Sequence, residues 1–193
     1  LGSGAVALEP GGVRLADGAL VPGERVIAAT GLRPRRLPLP GAEARRHVLR
    51  SFDDLVRLAP SLRPGARMVV IGGGWIGLEV AASARQRGAE VVVVETQSRL
   101  CERTVPAEIS EHLLALHQRQ GTRILLGAGV SGFARGADGR SEVLLADGSV
   151  LRCDAIVLGV GLIPNDELAR EAGLSCDGGV LVDARCQTSD PDI

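Results

Sequence analysis

The chain has 193 residues, of which 45% are apolar, so it is long enough to bury a core and to form one or two domains. Its formal net charge is −1, from 22 basic and 23 acidic residues, which argues against a general attraction to nucleic acid or to membranes. The longest apolar run, residues 68–78, is interrupted by glycines and is shorter than the roughly 20 residues that a membrane-spanning helix needs.

Short strands separated by Gly, Pro and Asp turns are predicted in the first part of the chain, at residues 5–8, 13–15, 19–21 and 25–30. A connector rich in Pro and Arg, GLRPRRLPLPG, follows. Ser51, with Asp54 three residues later, then predicts a capped N-terminus for a short helix that ends near Pro60.

From residue 68 onward, strands and helices alternate. The predicted strands are residues 68–71, 90–94, 124–126, 130–134, 142–145 and 154–160, and the predicted helices are residues 75–87 and 106–120. The second helix is expected to bury Ile109, Leu113 and Leu116 on one face. The pattern predicts an α/β fold, a Rossmann-like dinucleotide-binding domain with a parallel sheet and a β-meander.

A segment of the chain is repeated at an offset of 130 residues. VRLADGALVPGERVIAATGLRP (residues 13–34) aligns without gaps on VLLADGSVLRCDAIVLGVGLIP (residues 143–164), with eight of 22 positions identical. The second copy closes a domain whose glycine motif lies 75 residues before Asp147, and the same spacing from Asp17 falls ahead of residue 1. We therefore expect flanking pieces of a second, related domain that this chain holds only in part.

The glycine motif is GGGWIG, which satisfies G-x-G-x-x-G directly after a predicted strand and at the start of a predicted helix. Gly72 permits the tight turn, Gly74 lets the backbone approach a pyrophosphate, and Gly77 lets helix and strand pack closely. The phosphate charge is stabilised at the helix N-terminus. The alternative, a tight turn with nothing bound, is less consistent with this context.

Glu95 ends the second strand of the motif, 23 residues after Gly72, where a carboxylate can accept hydrogen bonds from the adenine ribose. It would repel a 2′-phosphate, so NADH is favoured over NADPH. The alternative is that Arg99 or Arg103 holds such a phosphate.

The sequence offers few other candidate site residues. Trp75 is predicted to face the bound dinucleotide, with filling of the core as the alternative, and Glu79 either serves the site or complements the helix dipole. No metal site is expected, because the cysteines lack metal-ligand spacing and His112 and His117 are five residues apart. The four cysteines are predicted to be inert buried thiols in a reducing compartment, which indicates a cytoplasmic protein.

Four segments together, ATGLRP, VVIGGGWIGLEVAA, GVGLIPN and QTSDPDI, resemble the FAD-dependent pyridine nucleotide-disulfide oxidoreductases in order and spacing. The likeness is strongest to the ferredoxin reductase components of dioxygenase and haem monooxygenase systems. The C-x-x-C pair of thioredoxin reductases is absent from the sequence. Trp75 stands where the family more often has Tyr.

The resemblance implies two cofactor sites. For NAD(H) it implies Gly72, Gly73, Gly74, Trp75, Ile76, Gly77, Glu95, Thr96, Arg103, Gly159, Val160 and Gly161, with Glu79 and Trp75 beside the nicotinamide as the catalytic candidates. For FAD it implies Ala29, Thr30, Gly31 and Arg50. It also implies three segments from two domains: residues 1–48 as part of an FAD-binding domain, 49–173 as the NADH-binding domain, and 174–193 as the return to the FAD-binding domain.

The implied function is hydride transfer from NADH to FAD, followed by single-electron transfer to a ferredoxin-type iron–sulfur protein. Six arginines could steer an acidic partner, or form a solvated connector: 33, 35, 36, 45, 46 and 50, opposed by Glu43. Two alternatives remain. One is a dinucleotide-binding fragment without activity, and the other is a related NADH oxidase, nitrite reductase or rubredoxin reductase.

Overall fold

The computed structural model describes residues 2–41 and 46–193. Contacts divide the chain into two compact units, the first comprising residues up to Arg33 together with Leu162–Ile193, and the second Pro34–Gly161. The sequence-based boundaries, after residues 48 and 173, lie elsewhere and remain a prediction about domains of the whole protein.

The strands, in chain order, are β1 (Ala5–Glu9), β2 (Gly12–Leu15), β3 (Leu20–Pro22), β4 (Leu32–Pro34), β5 (Arg46–His47), β6 (Arg67–Ile71), β7 (Glu90–Val94), β8 (Arg123–Leu125), β9 (Val130–Arg135), β10 (Ser141–Leu145), β11 (Val150–Cys153), β12 (Ala155–Leu158) and β13 (Leu162–Pro164). The helices are α1 (Phe52–Leu58), α2 (Trp75–Gln86), α3 (Ala107–Arg119) and α4 (Glu167–Glu171). A single 3₁₀ turn, Ala59–Ser61, extends α1.

The first unit contains an antiparallel sheet in the order β1-β2-β3, and β4 pairs with β13 in a separate two-stranded sheet. The repeated segment explains the second sheet, because β4 and β13 are the Gly-Leu-x-Pro ends of the two copies. The side chain of Arg33 on β4 donates to Asn165 Oδ1 at 2.8 Å and pairs with Glu167 at 2.6 Å. The final strands of the two copies are therefore bonded to each other.

The second unit is built on a five-stranded parallel sheet in the order β5-β12-β6-β7-β8. A separate antiparallel meander has the order β11-β10-β9. Along β6, Met68 and Val70 pack with Val80 and Ala81 of α2, whereas Val69 and Ile71 belong to a second cluster that includes Phe133 of the meander. Both faces of the sheet are covered, which accounts for the nearly continuous apolar sequence of its central strands. The predicted α/β fold with a parallel sheet and a meander is confirmed.

Local signals in the sequence set several helix ends. Ser51 Oγ accepts from the Asp54 N–H at the start of α1, and the Asp54 carboxylate accepts from the Ser51 N–H in return, which completes a capping box. Gly88 and Gly121 follow α2 and α3 in left-handed conformations, with φ of +81° and +79°. These predictions from the sequence are confirmed.

The predicted strand at residues 25–30 is wrong. No strand that the structure describes pairs with this stretch, and Ile27 is 92% exposed. The matching residues of the second copy form β12, which lies between β5 and β6. An apolar run becomes a strand only where neighbouring strands accept its hydrogen bonds, and residues 25–30 have no such neighbour among those described.

The expected apolar face of α3 is also wrong in part. Ile109 and Leu116 are exposed, whereas Ser110 and His117 are buried. Ser110 is drawn inward because its hydroxyl donates to the Leu100 carbonyl at 2.5 Å. This bond ties α3 to the loop that precedes it.

In the described parts of the chain, no helix is both long enough and apolar enough to cross a bilayer. The same residues contain no group of three or more His, Cys, Asp or Glu side chains that could hold a metal ion.

Candidate functional site

The candidate site lies at the carboxyl ends of three adjacent strands. β12, β6 and β7 are neighbours in the parallel sheet, and they lead into Gly159, Gly72 and Glu95 respectively. In an open α/β sheet, the crevice outside such strand ends is where ligands bind. The sheet therefore gathers three segments that the sequence singled out separately.

Gly72 and Gly77 are glycines because the backbone passes too close for a side chain. Gly72 has φ +106°, and a Cβ built on it would lie 2.3 Å from the Gly159 carbonyl oxygen. A Cβ on the buried Gly77 would lie 2.0 Å from the Gly72 carbonyl oxygen. Turn, helix and neighbouring strand are thus held at backbone-to-backbone distance.

Gly74 has the opposite surroundings. It is the N-cap of α2, and a Cβ built there meets no heavy atom within 4 Å. No side chain among the described residues caps this helix. The first N–H groups of α2 are consequently available to an anion, which also gains from the helix dipole.

Glu95 is half-buried and holds the turn in place. Its Oε2 accepts from the Gly73 N–H at 2.6 Å, and its Oε1 accepts from the Gln97 N–H at 2.8 Å and from the Thr96 hydroxyl at 3.2 Å. A carboxylate has about four acceptor positions, of which three are used here, so one remains for a ribose hydroxyl. The bond to Gly73 was not predicted from the sequence. The only indication of this bond in the sequence is that Glu95 and the glycine turn come at the ends of two successive predicted strands.

The two arginines considered for a 2′-phosphate differ in their surroundings. Arg99 is half-buried, and its guanidinium donates to the carbonyls of Glu102 and Val105 and to the Ser110 hydroxyl, at 2.7–2.9 Å. It braces its own loop, so it is a poor candidate for phosphate binding. Arg103 and Thr96 lie in the same loop and are exposed.

The start of α2 carries the two catalytic candidates. Trp75 is 48% exposed, so the alternative that it fills the core is wrong. Glu79, one turn later on the same helix, and Ile76 are also exposed. All three side chains are open to a ligand at this end of the sheet.

Gly159, the first residue after β12, lies against the glycine turn. The Gly159 N–H donates to the Ile71 carbonyl at 2.8 Å, and a Cβ on Gly159 would lie 3.3 Å from both N and Cα of Gly77. Val160 is half-buried, and Gly161 is exposed with φ +101°.

The residues predicted to contact FAD lie in both units. Ala29, Thr30 and Gly31 are exposed in the first unit, where Asn165 donates to the Thr30 and Gly31 carbonyls. Arg50 is exposed in the second unit, ahead of α1, and its N–H donates to Asp54. Of the arginines considered for a partner surface, Arg45 lies outside the described residues, as does the opposing Glu43.

The cysteines are less uniform than expected. All four are free thiols, but Cys186 is exposed and Cys176 is half-buried, so the prediction of buried thiols holds only for Cys101 and Cys153. Burial raises the pKa of the Cys153 thiol to about 12, with the neighbouring Asp154 charge acting in the same direction. This thiol is inert at neutral pH.

A cavity of about 390 Å³ opens at the other end of the parallel sheet. Its lining includes Arg67, Glu90 and Arg123, which are the first residues of β6, β7 and β8. The glycine turn follows the last residue of β6, so this cavity is separate from the candidate site.

Comparison with known proteins shows which family model the chain matches. The model of the family described as pyridine nucleotide-disulphide oxidoreductase matches residues 2–193. The chain is 41% identical over 172 residues to the chlorobenzene dioxygenase ferredoxin reductase component of Cupriavidus sp. (strain PS12), with 89% of this chain and 42% of that protein covered. It is 40% identical over 185 residues to putidaredoxin reductase CamA of Pseudomonas putida, with 93% and 44% covered.

Solved structures agree with these relatives. A ferredoxin reductase for the CYP199A2 system from Rhodopseudomonas palustris superimposes with a TM-score of 0.92 at 38% identity, over 100% of this chain and 48% of that one. The reductase in a covalent putidaredoxin reductase–putidaredoxin complex gives 0.89 at 37% identity, over 98% and 47%. The chain thus spans less than half the length of each of these four proteins.

Proposed function

The chain belongs to the pyridine nucleotide-disulphide oxidoreductase family, and from that premise we propose that it is the NADH-binding portion of a flavoprotein. The whole protein would pass a hydride from NADH to FAD and then single electrons to a ferredoxin-type iron–sulfur protein. This makes it an FAD-dependent NADH:ferredoxin oxidoreductase. The names of the relatives, which are ferredoxin reductases, support this assignment.

One observation carries the dinucleotide proposal. The Gly72 backbone lies against Gly159 while Gly74 leaves the N-terminus of α2 open. A diphosphate fits this place, because the approach is unobstructed and unpaired N–H groups favour negative charge. Gly73, Trp75, Ile76 and Gly77 would line it.

The remaining predicted residues divide between the two ends of NADH. Glu95 would accept a hydrogen bond from the adenine ribose, with Thr96 and Arg103 beside it. Gly159, Val160 and Gly161 would border the dinucleotide on the β12 side. Trp75 and Glu79 would orient the nicotinamide. Trp75 supplies an exposed ring at the helix start, which can cover the nicotinamide and exclude water.

Hydride and electron transfer is the chemistry that the nicotinamide and flavin supply when bound. The chain's own residues then serve to bind, orient and shield them, and no acid–base pair is required. For FAD, Ala29, Thr30, Gly31 and Arg50 would contribute. All four residues are exposed, so each is accessible to a cofactor. Of the arginines between residues 33 and 50, those at 35, 36, 45 and 46 would steer an acidic ferredoxin by charge, since Arg33 pairs with Glu167 and Arg50 is assigned to FAD.

The cytoplasm is the proposed location, since an exposed thiol such as Cys186 stays reduced there. A second candidate applies to the 193-residue chain alone: a dinucleotide-binding module without activity. The fact that favours it is the length, which is under half that of the relatives. Visible absorbance of bound oxidised flavin distinguishes a flavoenzyme from such a module.

The test of the nucleotide site is a calorimetric titration of NADH and NADPH into wild-type, Glu95→Gln and Glu95→Arg chains. The wild type should prefer NADH. Glu95→Arg should lose the acceptor of the Gly73 N–H as well as the ribose contact, so NADH affinity should fall by about tenfold or more. NADPH affinity should fall less, because repulsion of the 2′-phosphate is removed.

Glu95→Gln is the matched control, since it keeps an acceptor oxygen for Gly73 but loses the charge. It should retain more NADH affinity than Glu95→Arg. An NADH-to-NADPH ratio that is the same in all three chains would contradict the proposed role of Glu95. Absence of binding by the wild type would contradict the site itself.

A further inference from the structure

Cys101 has a backbone conformation that is unusual for its residue type. Its φ is +49°, in the left-handed region that side chains disfavour, and the residue is buried, with 6% of its surface exposed. It lies in the loop that follows β7, between Arg99 and α3. A residue held in this conformation needs surrounding contacts that keep it there.

Those contacts are on both sides of Cys101. Its carbonyl accepts from the N–H groups of Thr104 and Val105, at 2.8 and 3.1 Å. The preceding Leu100 is buried, and its Cδ2 would lie 2.7 Å from a Cβ built on Gly73. With the three bonds of the Arg99 guanidinium, these contacts fix the loop beneath the glycine turn.

The loop bonds directly to the turn through Cys101. The Cys101 N–H donates to the Gly73 carbonyl at 3.0 Å, and the thiol lies 3.6 Å from the same oxygen. Burial raises the pKa of the thiol, so it stays protonated and able to donate. The Gly73 N–H donates to the Glu95 carboxylate. Both peptide groups of Gly73 are thereby fixed, one by Glu95 and the other by Cys101.

The second of these peptide groups controls a ligand contact. The carbonyl of Gly73 and the N–H of Gly74 belong to one planar trans peptide, in which they point in opposite directions. With the carbonyl held toward Cys101, the Gly74 N–H must point away from the loop, and a Cβ built on Gly74 meets no heavy atom within 4 Å. A rotated peptide would present a carbonyl oxygen in place of that N–H.

We propose that Cys101 is a positioning residue for the diphosphate site: through its backbone N–H it sets the Gly73–Gly74 peptide so that the Gly74 N–H faces the ligand. This rests on the proposed function, namely that the glycine turn binds a dinucleotide. The left-handed conformation of Cys101 is the feature that brings its N–H to Gly73 while its carbonyl closes the loop.

The experiment compares two ligands and two variants in the complete protein. ADP-ribose contains the diphosphate, and adenosine lacks it. Cys101→Gly keeps the N–H and adopts a positive φ freely, whereas Cys101→Pro removes the N–H. Affinities are measured by calorimetry for ADP-ribose and by NMR titration for adenosine, and thermal unfolding of each variant is recorded.

The expected result is that Cys101→Gly binds ADP-ribose within about twofold of the wild type, because the thiol is a weak donor. Cys101→Pro should bind it about tenfold more weakly, the loss expected for one hydrogen bond that orients a binding group. Adenosine should bind all three proteins alike. Equal ADP-ribose affinity in Cys101→Pro, or an equal loss of adenosine affinity, would overturn the proposal.

Where Cys101→Pro does not fold, Cys101→Val replaces it. Valine keeps the N–H but resists a positive φ more strongly than cysteine. It should bind ADP-ribose several-fold more weakly than Cys101→Gly, with unchanged adenosine affinity, and equal affinities would overturn the proposal. Failure of the wild type to bind ADP-ribose would instead contradict the proposed function.

Discussion

In both copies of the repeated segment, residues 13–34 and 143–164, an Ala-Asp-Gly turn joins two antiparallel strands and a Gly-Leu-x-Pro sequence forms a short strand. β2 and β3 correspond to β10 and β11 at the 130-residue offset, and β4 corresponds to β13. Asp17 accepts from the Ala19 N–H just as Asp147 accepts from the Ser149 N–H. These shared features are all determined by residues close together in the chain.

The stretch between the turn and the final strand differs. Residues 155–158 form β12 and are buried, whereas the matching residues 25–28 form no strand, and Ile27 is almost fully exposed. The second copy has β5 and β6 on either side. Local sequence therefore specifies turns and hairpins, while a strand of a parallel sheet depends on distant neighbours.

The largest predicted effect comes from placing the same charge at the matched positions 157 and 27. Val157 is fully buried in β12, so Val157→Asp leaves an unpaired carboxylate in the core and should destabilise the second unit by about 4 kcal/mol or more. Ile27→Asp should change stability by less than about 0.5 kcal/mol, because the side chain is already in water. Urea unfolding of the 193-residue chain measures both.

This pair of variants also tests the comparison itself. A loss of several kcal/mol for Ile27→Asp in the 193-residue chain would mean that residues 25–30 are buried after all. A loss that occurs only in a longer protein would indicate that strands outside this chain pair with the first copy.

The second prediction exchanges the residues at positions 159 and 29. Gly159→Ala makes the second copy resemble the first, and its Cβ would lie 3.3 Å from Gly77, so α2 or β12 must move by a few tenths of an ångström. We expect a loss of about 1 kcal/mol in stability, because tight packing tolerates little added volume, and a several-fold loss in NADH affinity. Unfolding and nucleotide titration check the two effects.

Ala29→Gly is the control, because Ala29 is exposed and belongs to the first unit, whereas the glycine turn belongs to the second. It should leave NADH affinity unchanged. An unchanged affinity in Gly159→Ala would show that the contact between Gly159 and the turn does not shape the site.

Features with local causes could be predicted from the sequence. The Ser51–Asp54 cap and the glycines that end α2 and α3 need only neighbouring residues, and the structure has all of them. The family resemblance is confirmed by a match over residues 2–193. The roles of the individual nucleotide-binding residues remain predictions.

Features that depend on tertiary contacts could not be predicted. The short strands β5 and β13 carry no periodic pattern and exist because β12 and β4 lie beside them. The buried face of α3 includes the polar residues Ser110 and His117, which an apolar periodicity does not mark, and the Ser110 hydroxyl is satisfied by the Leu100 carbonyl. The bonds of Gly73 to Glu95 and Cys101 join residues 22 and 28 positions apart, and no spacing rule indicates them.

The third prediction concerns Arg33, which connects the final strands of the two copies. Arg33→Ala removes the bonds to Asn165 and Glu167, but these side chains are about half exposed, so the loss should stay below about 1 kcal/mol. The loss should shrink further in high salt. Unfolding at two ionic strengths measures it. A larger loss that is independent of salt would show that Arg33 stabilises the joint through packing or hydrogen bonds and not through an exposed ion pair.

The smallest predicted effect lies in the Ala-Asp-Gly turn, where the copies differ by one hydroxyl. Ser149 donates to the Asp147 carboxylate through both its hydroxyl and its N–H, and these bonds lower the pKa of Asp147. Asp17 accepts only the equivalent N–H, from Ala19, among the bonds that the structure describes. Ser149→Ala therefore gives the second turn the bonding of the first, and the pKa of Asp147 should rise toward the usual value for aspartate.

The sign of the accompanying pH effect follows from the lowered pKa. Ionised Asp147 adds stability above the pKa it has in the unfolded chain, and that contribution disappears as the pH falls through its folded-state pKa. Ser149→Ala should reduce this contribution, and NMR titration of the carboxyl carbons measures the pKa behind it. Asp54 serves as the internal control: burial opposes its ionisation, but hydrogen bonds from Ser51, Arg57 and Arg50 outweigh burial and hold its pKa at about 2, which Ser149→Ala should not alter. An unchanged Asp147 titration would mean that the backbone N–H alone, common to both copies, sets the charge of this turn.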